Sequence, residues 1–345
     1  MRAMLATPMD GASPLASILL PAHQAGATLD ACLHSVARQR EPRFECIVVD
    51  DGSTDATAQI ASAWADRDER ITIVSTPHRG LVAALDAGLA HCRAPVVVRM
   101  DADDWMHHDR LRLQLAGLDA HPEWSGVGCH VRIVPRDLLL DGFRAYERWL
   151  RSIDSPTRVR EEMFVESPIV HPTLAIRRAV IERFGWRDVD WPEDYDLVLR
   201  LLTGGHELGV VPRRLLCWRD DPTRLTRTDP RYGIERITAC KATHLAGSFL
   251  AGSDDYVLWG YGGTGRALHA ALRALGKRPS HILELHPGRL GNRIHGAPVV
   301  HWERLPELPK RPLVASVAGA TARAAIRDAL RSMGLVETRD FVCAA

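Results

Sequence analysis

The chain has 345 residues, with 46% hydrophobic, 25% charged and a formal net charge of +1. That near-neutral balance supplies no global field toward nucleic acid or an anionic membrane, although a local phosphate site needs only local donors. The length is enough for two domains with well-buried cores.

The first strand is expected at Leu15–Leu20, followed by a loop over Pro21–Gly26. A helix then carries apolar positions at Leu29, Cys32, Leu33 and Val36. Phe44–Asp50 reads as a second strand, a continuous apolar run of the kind found where both faces are covered. It stops at Asp50-Asp51-Gly52-Ser53-Thr54-Asp55, where Ser53 or Thr54 is placed to cap a helix over Ala56–Ala65. Ile71–Ser75 is a third strand, Leu81–His91 a helix, and Pro95–Met100 a fourth strand ending at Asp101. Strand and helix alternate, so the pattern predicts an α/β fold with a parallel-rich sheet flanked by helices. Ligands bind such sheets beyond the carboxyl ends of the strands, where both acidic clusters lie.

From Arg110 to Arg219 the pattern is less regular, and Asp220–Tyr232 forms a polar loop. A helix over Ile234–Ala246 leads to a Gly-Ser-Asp linker at 252–254. A strand at Tyr256–Trp259 restarts the alternation, with a glycine-rich turn, a helix at 264–275 and strands at 281–285 and 313–317. The expected organisation is a domain over 14–230, a helical linker over 231–253 and a smaller Rossmann-like domain over 254–345.

The seven cysteines, Cys32, Cys46, Cys92, Cys129, Cys217, Cys240 and Cys343, contain no CxxC pair and read as reduced thiols. Met1–Ser13 lacks the apolar core of a signal peptide, and no stretch approaches the roughly 20 apolar residues that span a bilayer. A cytoplasmic protein without a transmembrane segment is therefore expected, which leaves room for peripheral membrane contact.

The strongest chemical feature is the pair Asp50-Asp51-Gly52-Ser53 and Asp101-Ala102-Asp103-Asp104, each closing an apolar strand. Acidic turns are often merely solvated. Several carboxylates on one sheet edge, however, repel one another unless a cation or donors offset them. Mg²⁺ or Mn²⁺ with phosphate ligands meets that need, since hard cations select oxygen.

Six segments carry a family resemblance: LASILLPAHQ, CIVVDDGSTDAT, HRGLVAALDAGL, VVVRMDADDW, IVHPTLAIRR and WPEDYDLVLRLL. In this order they resemble bacterial family 2 glycosyltransferases of the GT-A fold, over about residues 14–230. The resemblance implies that Pro21, Ala22 and His23 hold the nucleotide base and that Asp51, with Asp50 beside it, bonds the edge of a uracil-type base. It places Asp101 toward the ribose and Asp103 on a metal bridging the diphosphate. It makes Asp194, after Glu193, the general base that deprotonates an acceptor hydroxyl, with inversion at the anomeric carbon. The bland alternative for Glu193 and Asp194 is the preference of acidic groups for a helix N-terminus behind Pro192. His171 falls in a motif that lines the acceptor side, or is simply structural. Arg79 contacts a phosphate or sugar, or is a surface arginine. Asp221 stands where relatives carry a metal-binding histidine. Arg224 and Arg227 are candidate diphosphate clamps on a lid, with solvated arginines as the alternative.

Gly260-Tyr261-Gly262-Gly263-Thr264-Gly265 is a GxGxxG between a strand and a helix, and Glu284 follows at the end of the next strand. That context suits a dinucleotide fingerprint with Gly260, Gly262, Gly265 and Glu284. The same glycines also permit a tight turn and close packing alone. The reading is thus a sugar transferase with a nucleotide-sugar donor, taken as a UDP-sugar, and a glycan or lipid-linked acceptor. No nucleic-acid partner is expected, and polysaccharide or glycoconjugate synthesis is the setting the resemblance implies. The rivals are an NAD(P)-dependent oxidoreductase or nucleotide sensor built on the GxGxxG, and a non-catalytic sugar-nucleotide binder.

Overall fold

A computed structural model describes residues 13–345, so the expectations for the first twelve residues lie outside it. In chain order the elements begin with β1 (Ala16–Ala22), α1 (Leu29–Ala37), β2 (Phe44–Asp51), α2 (Thr57–Ala65), β3 (Ile71–Thr76), α3 (Leu81–Leu89) and β4 (Val96–Arg99). They continue through β5 (Trp105–Met106), α4 (Arg110–Ala120), β6 (Trp124–Val134), α5 (Asp141–Arg151), α6 (Pro156–Glu162), β7 (Ala175–Arg177), α7 (Arg178–Phe184), α8 (Glu193–Thr203) and β8 (Glu207–Arg219). The remainder is α9 (Leu225–Thr228), α10 (Ile234–Gly247), β9 (Asp255–Trp259), α11 (Gly263–Ala274), β10 (Arg278–Glu284), β11 (Arg293–Ile294), β12 (Ala297–His301), β13 (Leu313–Ala315), α12 (Ala320–Ser332) and β14 (Phe341–Cys343).

The chain forms two compact units. The first comprises the chain through Pro156 with Ile169–Asp188 and Gly205–Arg224. Its eight-stranded sheet has the order β3-β2-β1-β4-β7-β6-β8-β5. The first four strands are mutually parallel, and β7 runs antiparallel to both β4 and β6. Every residue of β1 and β2 is buried, as their unbroken apolar runs require. Pro21 and Ala22, expected in a loop, instead complete β1, because β2 continues far enough for Ala22 to pair with Asp50. Neither Ser53 nor Thr54 caps α2; the Asp55 carboxylate accepts from the Thr57 N–H at 3.0 Å.

The second unit contains Thr157–Pro168, Val189–Gly204 and Leu225–Ala345. Two segments expected in the first domain are thus grouped with the C-terminal chain, and contacts inside this unit explain why. Glu162 of α6 pairs with Arg327 of α12 at 2.7 Å, and Tyr195 of α8 donates to the Met163 carbonyl at 2.7 Å. The helix α10 is packed rather than a linker: Cys240, Ala242 and Leu245 are fully buried. Its Lys241 ammonium donates to the Val165 and Ala344 carbonyls, both at 3.0 Å. The unit's six-stranded sheet has the order β11-β12-β10-β9-β13-β14 and is parallel except for β11. Among the described residues no helix is long and apolar enough to cross a membrane.

Candidate active site at the strand ends of the first unit

Because β1, β2 and β4 are parallel neighbours, the residues after them gather on one edge of the sheet. Asp51 at the end of β2 is buried, and all its acceptor capacity is used internally. Its Oδ1 accepts from the Thr76 hydroxyl at 3.1 Å and the Arg79 N–H at 3.0 Å. Its Oδ2 accepts from His78 Nδ1 and the Gly80 N–H, both at 2.9 Å. Burial pulls this carboxyl up, but the four donors hold it below its ordinary pKa. Asp51 therefore ties down the loop between β3 and α3, and Arg79 contributes to it through its backbone while its side chain is exposed.

Gly52 makes the turn beside it possible. Its φ is +67°, and a Cβ there would meet the His78 nitrogen at 2.6 Å. Asp50 accepts from the Ser53 N–H at 3.2 Å, closing the same turn. His23, just beyond β1, donates from Nδ1 to the Asp51 carbonyl at 2.8 Å and stacks on His78 with centroids 4.0 Å apart. The two rings form a small aromatic platform at the ends of β1 and β3. Pro21 and Ala22, in the last turns of β1, are buried beneath it.

The group after β4 is different. Asp101, Asp103 and Asp104 each bring a carboxylate oxygen within 4.8 Å of the others. Asp101 receives Arg99 at 2.7 Å and Arg224 at 3.0 Å. Burial would raise it, but these two arginines hold it below the ordinary carboxyl range. Asp103 and Asp104 meet Arg224 only at 3.5 Å. Burial, then the Asp101 charge, pushes Asp103 up to about 6. Burial pushes Asp104 up as well, with Asp101 and Asp103 adding to the rise. The Asp104 Oδ1 accepts from the Arg219 N–H at 2.7 Å, whereas its buried Oδ2 has no hydrogen-bond partner. An all-oxygen set with an unpaired buried oxygen and two carboxyls held above their usual range fits a divalent hard cation.

The chain is similar to known glycosyltransferases. Residues 17–185 match the family model Glycosyl transferase family 2. The chain carries a family 2 glycosyltransferase domain. It is 28% identical over 190 residues to the amylovoran biosynthesis glycosyltransferase AmsE of Erwinia amylovora, covering 54% of this chain and 69% of that protein. It is 27% identical over 243 residues to the putative glycosyltransferase EpsE of Bacillus subtilis, covering 67% and 84%. The crystal structure of S. aureus TarS in complex with UDP has a TM-score of 0.54 at 17% identity, over 74% of this chain and 70% of that one. That likeness is one of fold, and it matches the GT-A arrangement of a parallel-rich sheet.

Within the transferase domain, Asp104 takes the third place in the acidic group, and Asp221 is not part of it. The Asp221 Oδ1 closes a local turn by accepting from the Thr223 N–H at 2.8 Å and from its hydroxyl at 2.6 Å. Arg224 lies on the carboxylates themselves, and Arg227 lies in α9 of the second unit. His171 is 7% exposed, in a 3-10 turn, and its Nε2 accepts from the Trp186 Nε1–H at 2.9 Å. Burial, then the Arg99 charge, drives its pKa well below the ordinary value, so the ring is neutral. Arg99 was missed in the sequence, although an arginine inside the run Val96–Met100 signals a buried partner. Asp104 lies within the same acidic segment, and the family resemblance assigns it no role.

In the second unit, Glu193 and Asp194 open α8, and Pro192 is its N-cap. Glu193 is buried and its Oε2 accepts from the Tyr232 hydroxyl at 2.7 Å. Asp194 is half-buried, and its Oδ1 accepts from the Tyr195 N–H at 2.7 Å. Asp196, by contrast, is wholly buried and paired with Arg200 at 2.7 Å and His244 at 3.2 Å. Gly260, Gly262 and Gly265 form the turn from β9 into α11, and Glu284 ends β10.

Proposed function

We propose that the chain is an inverting, metal-dependent glycosyltransferase that moves a sugar from a nucleotide-sugar donor, a UDP-sugar, onto an acceptor hydroxyl. The observation that carries this reading is the acidic group after β4, where Asp103 and Asp104 remain above their usual range despite Arg224. Asp101, Asp103 and Asp104 would hold Mg²⁺ or Mn²⁺. When bound, such an ion supplies positive charge to the diphosphate leaving group. The stacked His23 and His78 offer a flat surface for the nucleobase, and Asp51 keeps that end of the pocket in shape through its loop. Arg224 is placed to pass from the carboxylates to a donor phosphate, for which a guanidinium is well suited.

Asp194 takes the acceptor's proton as the hydroxyl oxygen attacks the anomeric carbon from the face opposite the diphosphate. The C–O bond to the diphosphate breaks as the new glycosidic bond forms, and the configuration inverts. A carboxylate in this role contributes roughly 10²–10⁴-fold. Glu193, held by Tyr232, and His171 are assigned to the acceptor side. The acceptor is a glycan or lipid-linked glycan of a polysaccharide or glycoconjugate pathway, on the cytoplasmic side with peripheral contact to the membrane.

The test is transfer from UDP-, GDP- and dTDP-sugars with Mg²⁺ or Mn²⁺, with the anomeric configuration of the product read by NMR. Inversion from a UDP-sugar is expected. Retention of configuration would remove Asp194 as a single-displacement base, and activity only with other nucleotides would overturn the donor assignment.

A further inference from the structure

The sheet of the second unit contains a reversal of winding beside its glycine-rich turn. From β9 the chain proceeds through α11 to β10 and on to β12 on one side of the sheet. It then returns to the other side of β9, where β13 leads through α12 to β14. The direction of winding reverses between β9 and β13, which are adjacent and parallel with Trp259 opposite Ala315. In open parallel sheets the crevice at such a reversal is where ligands bind. Here it receives the N-termini of both α11 and α12, since each helix follows directly from one of the two strands.

The turn into α11 is built for close approach of a ligand. Gly260 has φ +92°, and a Cβ on Gly265 would lie 2.1 Å from the Gly260 carbonyl oxygen, so the helix starts hard against the strand end. Gly262, the N-cap, and Gly263 have nothing within 4 Å of their Cβ positions. No side chain caps α11, and its first amides have no intrahelical acceptor. Such a terminus favours a phosphate.

A second observation is independent of the helix. Ser316 extends β13 by one ladder bond, its N–H donating to the Trp259 carbonyl at 2.9 Å. Ala315 and Leu313 pack with Ile326 and Leu330 of α12. Alternation along the strand therefore turns Ser316 to the opposite face, under the first turn of α11. There the Thr264 hydroxyl donates to the Ser316 carbonyl at 3.2 Å. Ser316 is 1% exposed, yet its hydroxyl has no hydrogen-bond partner. A buried orphan hydroxyl at the floor of the crevice is costly unless something there completes it.

Glu284 supplies the remaining element. Its Oε1 accepts from the Leu285 N–H at 3.0 Å and its Oε2 from Arg289 at 2.8 Å. Arg289 also donates to the Tyr261 carbonyl at 3.1 Å, tying the end of β10 to the glycine turn. The His286 N–H also bonds this carboxylate, and three donors on about four lone-pair sites leave room for one hydroxyl.

We propose that this crevice binds a nucleoside diphosphate moiety, with phosphate on the Gly262–Gly263 end of α11 and a ribose hydroxyl on Glu284. A sugar nucleotide and a dinucleotide such as NAD share that chemistry. The claim is one of binding and does not depend on the sugar transfer proposed above.

Gly262→Asp tests it in the full-length chain. Gly262 has φ −78° and ψ −161°, which suits an aspartate N-cap, so the variant should fold with an undiminished thermal midpoint. Its carboxylate would occupy the amides that the phosphate needs. Calorimetric titration with UDP and with NAD, in EDTA, is expected to give a binding event with one of them that weakens at least tenfold in Gly262→Asp. Glu284→Gln should weaken it as well, while metal-dependent sugar transfer by Gly262→Asp stays within twofold of the parent chain. Binding of UDP identifies a sugar-nucleotide site, and binding of NAD a dinucleotide site. If neither ligand binds in EDTA, or Gly262→Asp binds as tightly as the parent, the proposal is overturned.

Discussion

The ends of β2 and β4 carry equally acidic sequences on one edge of one sheet, and the protein treats them in opposite ways. Asp51 receives four donors from the loop between β3 and α3, two on each oxygen. After β4, Asp101 is paired with Arg99 and Arg224 and the Asp104 Oδ1 accepts from the Arg219 N–H, but Asp103 and Asp104 meet a guanidinium only at 3.5 Å, from Arg224, and the buried Asp104 Oδ2 has no donor. An acidic pair with a full set of internal donors is a structural brace. One that remains short of positive charge is where the proposed cation would bind. Sequence alone ranks the two alike; the count of donors separates them.

The largest effect is expected at the under-compensated end. Asp103→Ala should reduce sugar transfer by about a thousandfold or more, as the loss of cation-assisted stabilisation of a leaving group implies. Product formation at saturating Mn²⁺ measures it, and a loss below tenfold would place the metal elsewhere. Next comes Asp194→Asn, for which turnover should fall roughly 10²–10⁴-fold. Donor affinity should remain within threefold, which separates a base from a binding residue.

The braced end should respond in stability instead. Asp51→Asn replaces an acceptor oxygen with an amide facing existing donors, and should cost about 2–4 kcal/mol in urea unfolding. Mn²⁺ affinity of the folded fraction should not change. If Asp51→Asn abolishes Mn²⁺ binding while unfolding normally, the contrast between the two ends is wrong. Arg224→Gln should destabilise the metal-free chain by about 1–2 kcal/mol, because it leaves the acidic group less compensated. Added Mn²⁺ should then raise the thermal midpoint more in that variant than in the parent, and an equal rise would show that Arg224 does not offset the same charges.

The smallest effect concerns pH. Asp103 titrates at about 6 in the metal-free chain, raised by burial and by Asp101. Below that value a proton occupies the carboxylate and must be displaced, so Mn²⁺ affinity should fall about tenfold per unit as pH drops below 6. Electron paramagnetic resonance titration of free Mn²⁺ reads this directly, and affinity flat from pH 7 to 5 would remove Asp103 as a ligand.

Much of the first unit was legible because its strands are long apolar runs that end in acidic turns. The order β1, α1, β2, α2, β3, α3, β4 follows from that pattern, with boundary errors of a few residues such as Pro21 and Ala22. What remained hidden depends on contacts distant in sequence. Arg224 reaches Asp101 across 123 positions, and nothing local marks it as the counter-charge. The grouping of Val189–Gly204 with the C-terminal chain was equally hidden, since it rests on pairs such as Tyr195 with Met163 and His244 with Asp196. Asp221 shows the reverse case. Its position in a motif pointed to a metal, while its carboxylate is used by Thr223 two residues on.

The most direct test of the central claim is turnover of a sugar donor by chelator-stripped protein as Mn²⁺ or Mg²⁺ is restored. The account predicts no transfer without the ion, saturable recovery with it, preserved recovery in the folded fraction of Asp51→Asn and none in Asp103→Ala. Full transfer in the presence of excess EDTA would contradict it.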